Sequence, residues 1–123
     1  MGKLVADSVL DAAINKIKNA TSLTAILCSS QPTTRTEAVS TYALADVALS
    51  SSDVTAGNGD SSGRKGTISA KTGVTVDTSG TATHLALVDN SELLYVTTTA
   101  SQAVAAAGTV DIGSWKFEIS DPS

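Results

Sequence analysis

The stretch Gly80–Thr99, GTATHLALVDNSELLYVTTT, decides the fold of this chain. It contains two strand-like runs, Ala82–Asp89 and Glu92–Thr99, which are rich in leucine, valine and threonine. The polar tripeptide Asp89-Asn90-Ser91 lies between them and suits a tight turn. Two such runs joined by a short polar turn are typical of an antiparallel β-hairpin, which we expect here.

Further short strand patterns lie on both sides of the hairpin. The last of them alternates, with Trp115, Phe117 and Ile119 on one face and polar side chains on the other. No connection between these runs is long enough for the crossover helices that parallel strands need. The sequence therefore predicts an all-β protein, an antiparallel β-sandwich or barrel of about seven strands with one N-terminal amphipathic helix. Besides the hairpin, the predicted strands are Leu23–Cys28, Thr67–Lys71, Val74–Asp77, Thr109–Ile112 and Trp115–Ser120.

The helix is predicted over residues 7–19. Leu10, Ala13, Ile14 and Ile17 recur there at the spacing of one helical face. A helix this short is unstable alone, so its apolar stripe must pack on another element. Both the chain's own strands and a neighbouring subunit would satisfy that need.

The ends of the helix carry recognisable signals. Ser8 followed by Asp11 resembles a capping box, in which the hydroxyl accepts a hydrogen bond from a free backbone N–H. Asn19 fits a left-handed stop at the other end.

The length of 123 residues suits one core, so residues 1–123 are predicted to be a single domain with a β-rich body at residues 22–121. Residues 38–49 fit both helix and strand, and we expect a turn of helix or an extended loop that leads into a strand. Residues 50–66 are the most polar and glycine-rich, which predicts a mobile loop between strands.

Composition limits the classes of partner. Hydrophobic residues make up 41% and charged residues 16%, so the chain should fold, and Ser and Thr replace charge on its surface. Such a surface loses little side-chain entropy when a neighbour covers it, which favours an assembled subunit. The chain has 8 basic against 12 acidic residues and no basic cluster beyond Arg64-Lys65, so nucleic acid is not an expected partner.

The sequence carries no membrane or export signal that we recognise. No apolar stretch approaches the ~20 residues of a membrane span. Asp7, Asp11 and Asn15 interrupt the N-terminal segment, where a signal peptide would need an apolar core. We therefore expect no membrane partner, and a protein that is made and kept in a reducing cytoplasm or released with lysing cells.

Residues for catalysis are few. His84 is the only histidine and lies inside a strand, and no G-x-S-x-G motif is present. Cys28 is the only cysteine and lies in an apolar run, whereas a reactive Cys28–His84 dyad would need an exposed thiol in an electropositive pocket. The sequence predicts no enzyme and no catalytic residue.

The loop Gly57–Thr67 superficially resembles two ligand-binding motifs. Its glycine spacing does not match a phosphate-binding P-loop, and a strand rather than a helix is predicted to follow it. One Gly-x-Gly-x-Asp unit is present, whereas calcium-binding repeats need stacked copies. Weak calcium binding by Asp53, Asp60 and Ser61 stays an open alternative, but we predict no cofactor and no metal site.

Five segments carry a family resemblance: QPTTRTEA (31–38), TYALADV (41–47), SGRK (62–65), GTATHLALVD (80–89) and WKFEISDP (115–122). In this order they resemble small virion structural proteins encoded by tailed bacteriophages. The resemblance covers nearly the whole chain after the helix. It indicates a phage origin rather than a particular place in the particle.

The resemblance implies a capsid decoration, or cement, protein, a β-rich class that commonly sits as trimers over junctions between capsid hexamers. The implied partner is the major capsid protein or another virion protein, with homo-oligomerisation as a trimer. The implied location is the outer capsid surface of a virion assembled in the host cytoplasm.

A protein of this kind needs broad patches rather than a pocket. The helix face, with Leu10, Ile14 and Ile17, and the strand face, with Trp115 and Phe117, are the predicted interaction surface. Trp115 fills either the chain's own core or a pocket on a partner.

Two other functions are consistent with the sequence. A tail or head-fibre component would need the same kind of interaction surface. A carbohydrate-binding module would need exposed aromatic platforms, and aromatic residues are only 3% of the chain.

Overall fold

A computed structural model describes residues 5–60 and 63–119. This part of the chain forms one α-helix and nine β-strands, which confirms an all-β fold with a single helix at the N-terminal end. The helix α1 is Asp7–Lys18. The strands are β1 Thr24–Cys28, β2 Ala43–Ala48, β3 Val54–Asn58, β4 Arg64–Ile68, β5 Lys71–Thr75, β6 Gly80–Val88, β7 Leu93–Val104, β8 Thr109–Ile112 and β9 Trp115–Ile119.

The strands form three antiparallel sheets. The largest has the order β2-β1-β6-β7, the second has the order β3-β4-β9, and β5 pairs with β8. The predicted hairpin forms the β6–β7 pair at one side of the four-stranded sheet. A bridge between Ala45 and Val76 joins the β5 end to the outer edge of β2. Side chains of α1 and of the second and third sheets pack together against one side of the four-stranded sheet.

One apolar cluster, here called the main core, joins the helix to all three sheets. Ala25 and Leu27 of β1 and Leu85 and Leu87 of β6 contribute its centre from the four-stranded sheet. Each of these four side chains is at most 5% exposed. Full burial of a leucine-sized side chain stabilises the fold by about 1.5–3 kcal/mol, so this layer contributes much of the stability.

A second core covers the opposite face of the same sheet. It is formed by Ile26, Cys28, Ala38, Ala86 and Val88. The covering chain is the segment 31–42, which contains a π-helical turn at Glu37–Thr41. Strands β1 and β6 are therefore buried on both faces, which explains why their sequences are continuously apolar.

The helix packs on the chain's own strands. Leu10, Ile14 and Ile17 are all buried, and the last two belong to the main core. The Arg64 Nε of β4 donates to the Asp11 Oδ1 at 2.7 Å, and this contact raises the pKa of Arg64 above its ordinary value. The apolar stripe of α1 therefore packs on the chain's own strands and not on a neighbouring subunit.

The C-terminal end of α1 is held by a lysine rather than by a left-handed cap. Lys18 Nζ donates to the carbonyl oxygens of Ser51 at 2.8 Å and Val54 at 2.7 Å. Asn19 has φ −99° and ψ 12°, so the predicted left-handed stop at this residue is wrong. Ser22, three residues later, has φ 57° where the chain turns into β1.

The predicted capping box is also wrong. The N-cap residue is Ala6, and no side chain caps the helix there. Ser8 lies inside α1, two residues after the N-cap position, so its hydroxyl cannot cap the first turn. The acidic Asp7 in the first turn still suits the helix dipole.

Two regions without a clear strand pattern in the sequence contain β-strands within the described residues. Residues 38–49 form the end of the π-helical turn and then β2, as the prediction of a helical turn leading into a strand allowed. Residues 50–66 were predicted to be a loop, but they contain β3 and the start of β4. Thr55 and Ala56 of β3 are exposed, so this strand has no buried alternation for a sequence pattern to reveal.

The turn of the β6–β7 hairpin is fixed by a buried carboxylate. Asp89 Oδ1 accepts hydrogen bonds from the backbone N–H groups of Ser91 at 2.8 Å and Glu92 at 2.7 Å. These bonds lower the pKa of Asp89 below its ordinary value. Arg35 Nε donates to the Asp89 carbonyl oxygen at 2.9 Å and ties the segment 31–42 to the same turn.

No helix in residues 5–60 and 63–119 is long and apolar enough to span a membrane.

The docking of α1 predicts unequal effects for two substitutions on the same helix. Ile14 is fully buried and Val9 is 62% exposed. Ile14→Ala should lower the free energy of unfolding by about 2–5 kcal/mol because it leaves a cavity in the main core. Val9→Ala should change it by less than about 0.5 kcal/mol. Urea unfolding followed by circular dichroism measures both, and equal effects would contradict the packing described here.

Candidate functional site

Four of the five residues predicted to form an interaction surface lie in the protein's own core. Leu10 is 6% exposed, Ile14 0%, Ile17 7% and Phe117 4%. Their role is to hold the protomer together, so they offer a partner little surface. Only Trp115 leaves part of its side chain at the surface. The candidate site therefore lies around Trp115.

Trp115 belongs to a cluster of three aromatic residues. Its ring centroid lies 6.0 Å from Tyr95 and 6.5 Å from Phe117, and Tyr95 and Phe117 are 5.3 Å apart. Tyr95 comes from β7 and the other two from β9, strands that belong to different sheets. The cluster therefore fills the gap where the four-stranded sheet meets the second sheet. We call this gap the seam.

A glycine makes room for the cluster. Gly66 of β4 is the register partner of Phe117. A Cβ atom at Gly66 would lie 2.5 Å from the Phe117 Cζ, far inside van der Waals contact. The Phe117 ring thus lies directly on the β4 backbone, which brings it within reach of Tyr95.

An apolar cavity of about 350 Å³ opens at one end of the seam. Its walls come from α1, the start of β7 and the end of β9, and its apolar members are Ala13, Ile17, Leu93, Leu94, Tyr95, Phe117 and Ile119. The Lys16–Glu92 ion pair, at 2.6 Å, lies on its rim and raises the pKa of Lys16. Its volume and lining suit one large apolar side chain of a partner.

A smaller, more polar cavity of about 260 Å³ lies at the other end. Thr97, Gln102, Asp111 and Ser114 line it together with Trp115. The Trp115 Nε1 is buried and has no hydrogen-bond acceptor within the described residues. An unpaired buried N–H costs roughly 1–3 kcal/mol of stability.

Strand β7 runs along the seam as the free edge of the four-stranded sheet. It is twelve residues long and pairs only with β6 on its inner side. Residues 98–103 are exposed, and no charged residue or proline occurs between Leu93 and Val104. Alternate backbone N–H and C=O groups of an edge strand point outward without a partner strand.

The opposite edge of that sheet is covered. Leu44 of β2 accepts hydrogen bonds from the N–H groups of Asp77 at 2.7 Å and Thr78 at 3.1 Å, next to the Ala45–Val76 bridge. The strands of the other two sheets are four or five residues long, and β9 carries Lys116 and Glu118. Short length and charge both discourage strand addition. Among the described edge strands, β7 is the one that is both long and free of charged residues.

The two residues considered for catalysis do not form a reactive pair. Cys28 and His84 are register partners on β1 and β6. Cys28 is fully buried, and burial raises its thiol pKa to about 11. Only about one thiol in ten thousand is then ionised at pH 7. The His84 Nδ1 hydrogen-bonds the Thr83 hydroxyl at 2.9 Å rather than the cysteine.

The carboxylates considered for calcium are used in separate ion pairs. Asp53 contacts Lys71 at 2.9 Å and accepts from the Ser50 N–H, and these contacts lower its pKa. Asp60 pairs with Lys65 and Lys116. The two acids lie at opposite ends of β3, which spans about 17 Å. Ser61 lies outside the described residues, and no group of three metal-ligating side chains occurs within them.

The comparisons with known proteins assign no relative, because no protein-family model, no curated protein and no solved structure matches this chain. The seam and β7 are therefore the features of this chain that point to a function.

The contact between Gly66 and Phe117 predicts that two glycines of one hairpin respond differently to alanine. Gly66→Ala should lower the free energy of unfolding by about 1–3 kcal/mol, because the new methyl group overpacks the aromatic cluster. Gly57 in β3 has no atom within 4 Å of a Cβ, so Gly57→Ala is the matched control. The control should leave stability unchanged or raise it by up to about 1 kcal/mol. Thermal unfolding of both variants tests this prediction. A Gly66→Ala variant as stable as the natural protein would contradict the packing of the seam.

Proposed function

We propose that this protein is a non-catalytic structural subunit of a tailed-phage particle, a capsid decoration protein that binds the outer capsid surface and stabilises the lattice of the major capsid protein. The observation that carries the proposal is the seam. It combines an apolar cavity with a partly exposed tryptophan. Surfaces of this kind bind polypeptide segments.

The seam suits a contact that forms only on an assembled lattice. A decoration protein stabilises a capsid because it binds the assembled state and not the free subunits. The apolar cavity accepts a side chain, and the Lys16–Glu92 pair on its rim supplies polar contacts around it. Central apolar contacts inside a polar rim are the usual anatomy of a protein interface.

The remaining surface is consistent with a subunit that is covered by neighbours. Exposed threonines and serines are frequent, and they lose little entropy on contact. The formal net charge of −4 suits the outside of a genome-filled particle better than its lumen, where phosphates would repel it.

A carbohydrate-binding role is the second candidate, and the polar cavity is the observation that favours it. Trp115 lies there beside hydroxyl, amide and carboxylate groups that could hydrogen-bond a sugar. It ranks second because Tyr95 stacks against the Trp115 ring, which restricts the ring face that a sugar would need.

The proposal predicts different behaviour for two neighbouring helix positions. Ala12 and Ala13 are both exposed on α1, but only Ala13 lines the apolar cavity. Ala13→Glu should weaken binding to capsids that lack the protein at least about tenfold, because docking would bury the added carboxylate in the apolar cavity. Ala12→Glu adds the same charge outside the cavity and should bind like the natural protein. Co-sedimentation with capsids of the parent phage measures both affinities.

The functional consequence is measured in the same preparation. Capsids without the protein should rupture at a lower temperature, and addition of the natural protein or Ala12→Glu should restore resistance while Ala13→Glu should not. Absence of binding by the natural protein would overturn the capsid role. Binding that is equal for both variants would show that the cavity is not the docking site.

A further inference from the structure

We infer that β7 pairs in antiparallel orientation with β7 of a second copy of this chain, so that two protomers form one continuous sheet. The inference goes beyond the proposed function, because it assigns a self-association surface and a symmetry that do not depend on a capsid. It rests on the charge pattern and backbone of β7.

The edge of β7 needs a covering strand. The segment Leu93–Thr98 reads LLYVTT and combines high β-propensity with no charge. Natural proteins protect such edges with lysine, proline, short strands or a covering loop. In the part of the chain that the structure describes, β7 has neither charge nor proline, and no backbone hydrogen bond reaches its outer side. An uncovered edge of this kind is a template for strand addition.

The middle of the strand offers additional free backbone. The β6–β7 ladder is interrupted between the His84–Thr98 and Ala82–Gln102 partners, and residues 99–101 have no register partner on β6. The midpoint of Leu93–Val104 lies between Thr98 and Thr99. A two-fold axis keeps each face of the sheet, so it must pass through a residue that faces its own copy; an axis at Thr98 pairs Leu93–Ala103 with the second copy and lies beside the unpartnered residues 99–101.

Charge favours a second copy as the occupant. In antiparallel pairing about a two-fold axis each strand faces its own sequence, so a charged residue near the axis would meet its own copy. None of the twelve residues is charged, and no register of self-pairing places like charges together. The chain as a whole has a formal net charge of −4, so a neutral strip is where two copies can approach with least repulsion.

The side chains near the axis suit self-pairing as well. Pairing about Thr98 places Thr98 opposite Thr98 of the second copy, and Thr97 opposite Thr99. Cross-strand threonine pairs form hydrogen bonds and stabilise antiparallel sheets. The pairing doubles the four-stranded sheet and removes its free edge. It gives a dimer as the basic unit, in contrast to the trimer that the family resemblance implies.

Multi-angle light scattering on the purified protein tests the inference. We expect a mass of twice 12.4 kDa for the natural chain. Thr98→Lys and Thr98→Glu should each raise the dimer dissociation constant about tenfold, because the charge is introduced twice beside the axis. An equimolar mixture of the two variants should recover the dimer, since opposite charges then face each other. That recovery separates a true interface from misfolding.

Thr55→Lys is the matched control. Thr55 is an exposed threonine on β3, at the far edge of the second sheet, and its substitution should leave the dimer unchanged. A natural chain that stays at 12.4 kDa or forms a trimer would overturn the inference, as would Thr98 variants that dimerise normally or a mixture that stays monomeric. Each of these outcomes leaves the capsid-binding comparison of Ala13→Glu and Ala12→Glu intact, so the two proposals fail independently.

Discussion

The fold depends on covering both faces of β6. Leu85, Ala86, Leu87 and Val88 are consecutive and are all at most 4% exposed, so neither face of this strand tolerates water. One face is covered by α1 and the two smaller sheets, and the other by the segment 31–42. Since each cover is made of short elements that are unstable alone, they fold because β1 and β6 give them an apolar layer on which to pack.

This layering also places the candidate site. Covering β2 with the chain around Val76 leaves β7 as the open side of the central sheet. The second sheet meets β7 through aromatic side chains rather than through a hydrogen-bonded ladder, so the sandwich is not closed at the seam. The cavities and the free strand edge are two consequences of the same opening. The apolar cavity suits the proposed capsid contact, and the edge suits the inferred pairing with a second copy.

Those parts of the fold that bury a periodic or continuous apolar pattern could be predicted from the sequence. The β6–β7 hairpin, β8 at Thr109–Ile112 and the alternating β9 were predicted because each buries such a pattern. Strand β3 was missed because its exposed Thr55 and Ala56 leave no alternation, and its position is set by pairing with β4 and by Lys18.

The C-terminal half of β7 was missed for a similar reason, since its small residues form a strand only opposite Gly80–Ala82. Of the site, Trp115, Phe117 and Ile17 could be singled out in advance, and the last two line the apolar cavity. The apolar cavity combines α1, β7 and β9, which are distant in the sequence and carry no local signal of their meeting.

The reactivity of Cys28 tests the double covering of β6 most directly. This single thiol lies in the second core and is fully buried. If both faces are covered as one cooperative unit, a thiol reagent should label Cys28 only through global unfolding, and the free energy of labelling should equal that from urea unfolding. Labelling that needs several kcal/mol less would show that the segment 31–42 opens by itself and would contradict the account.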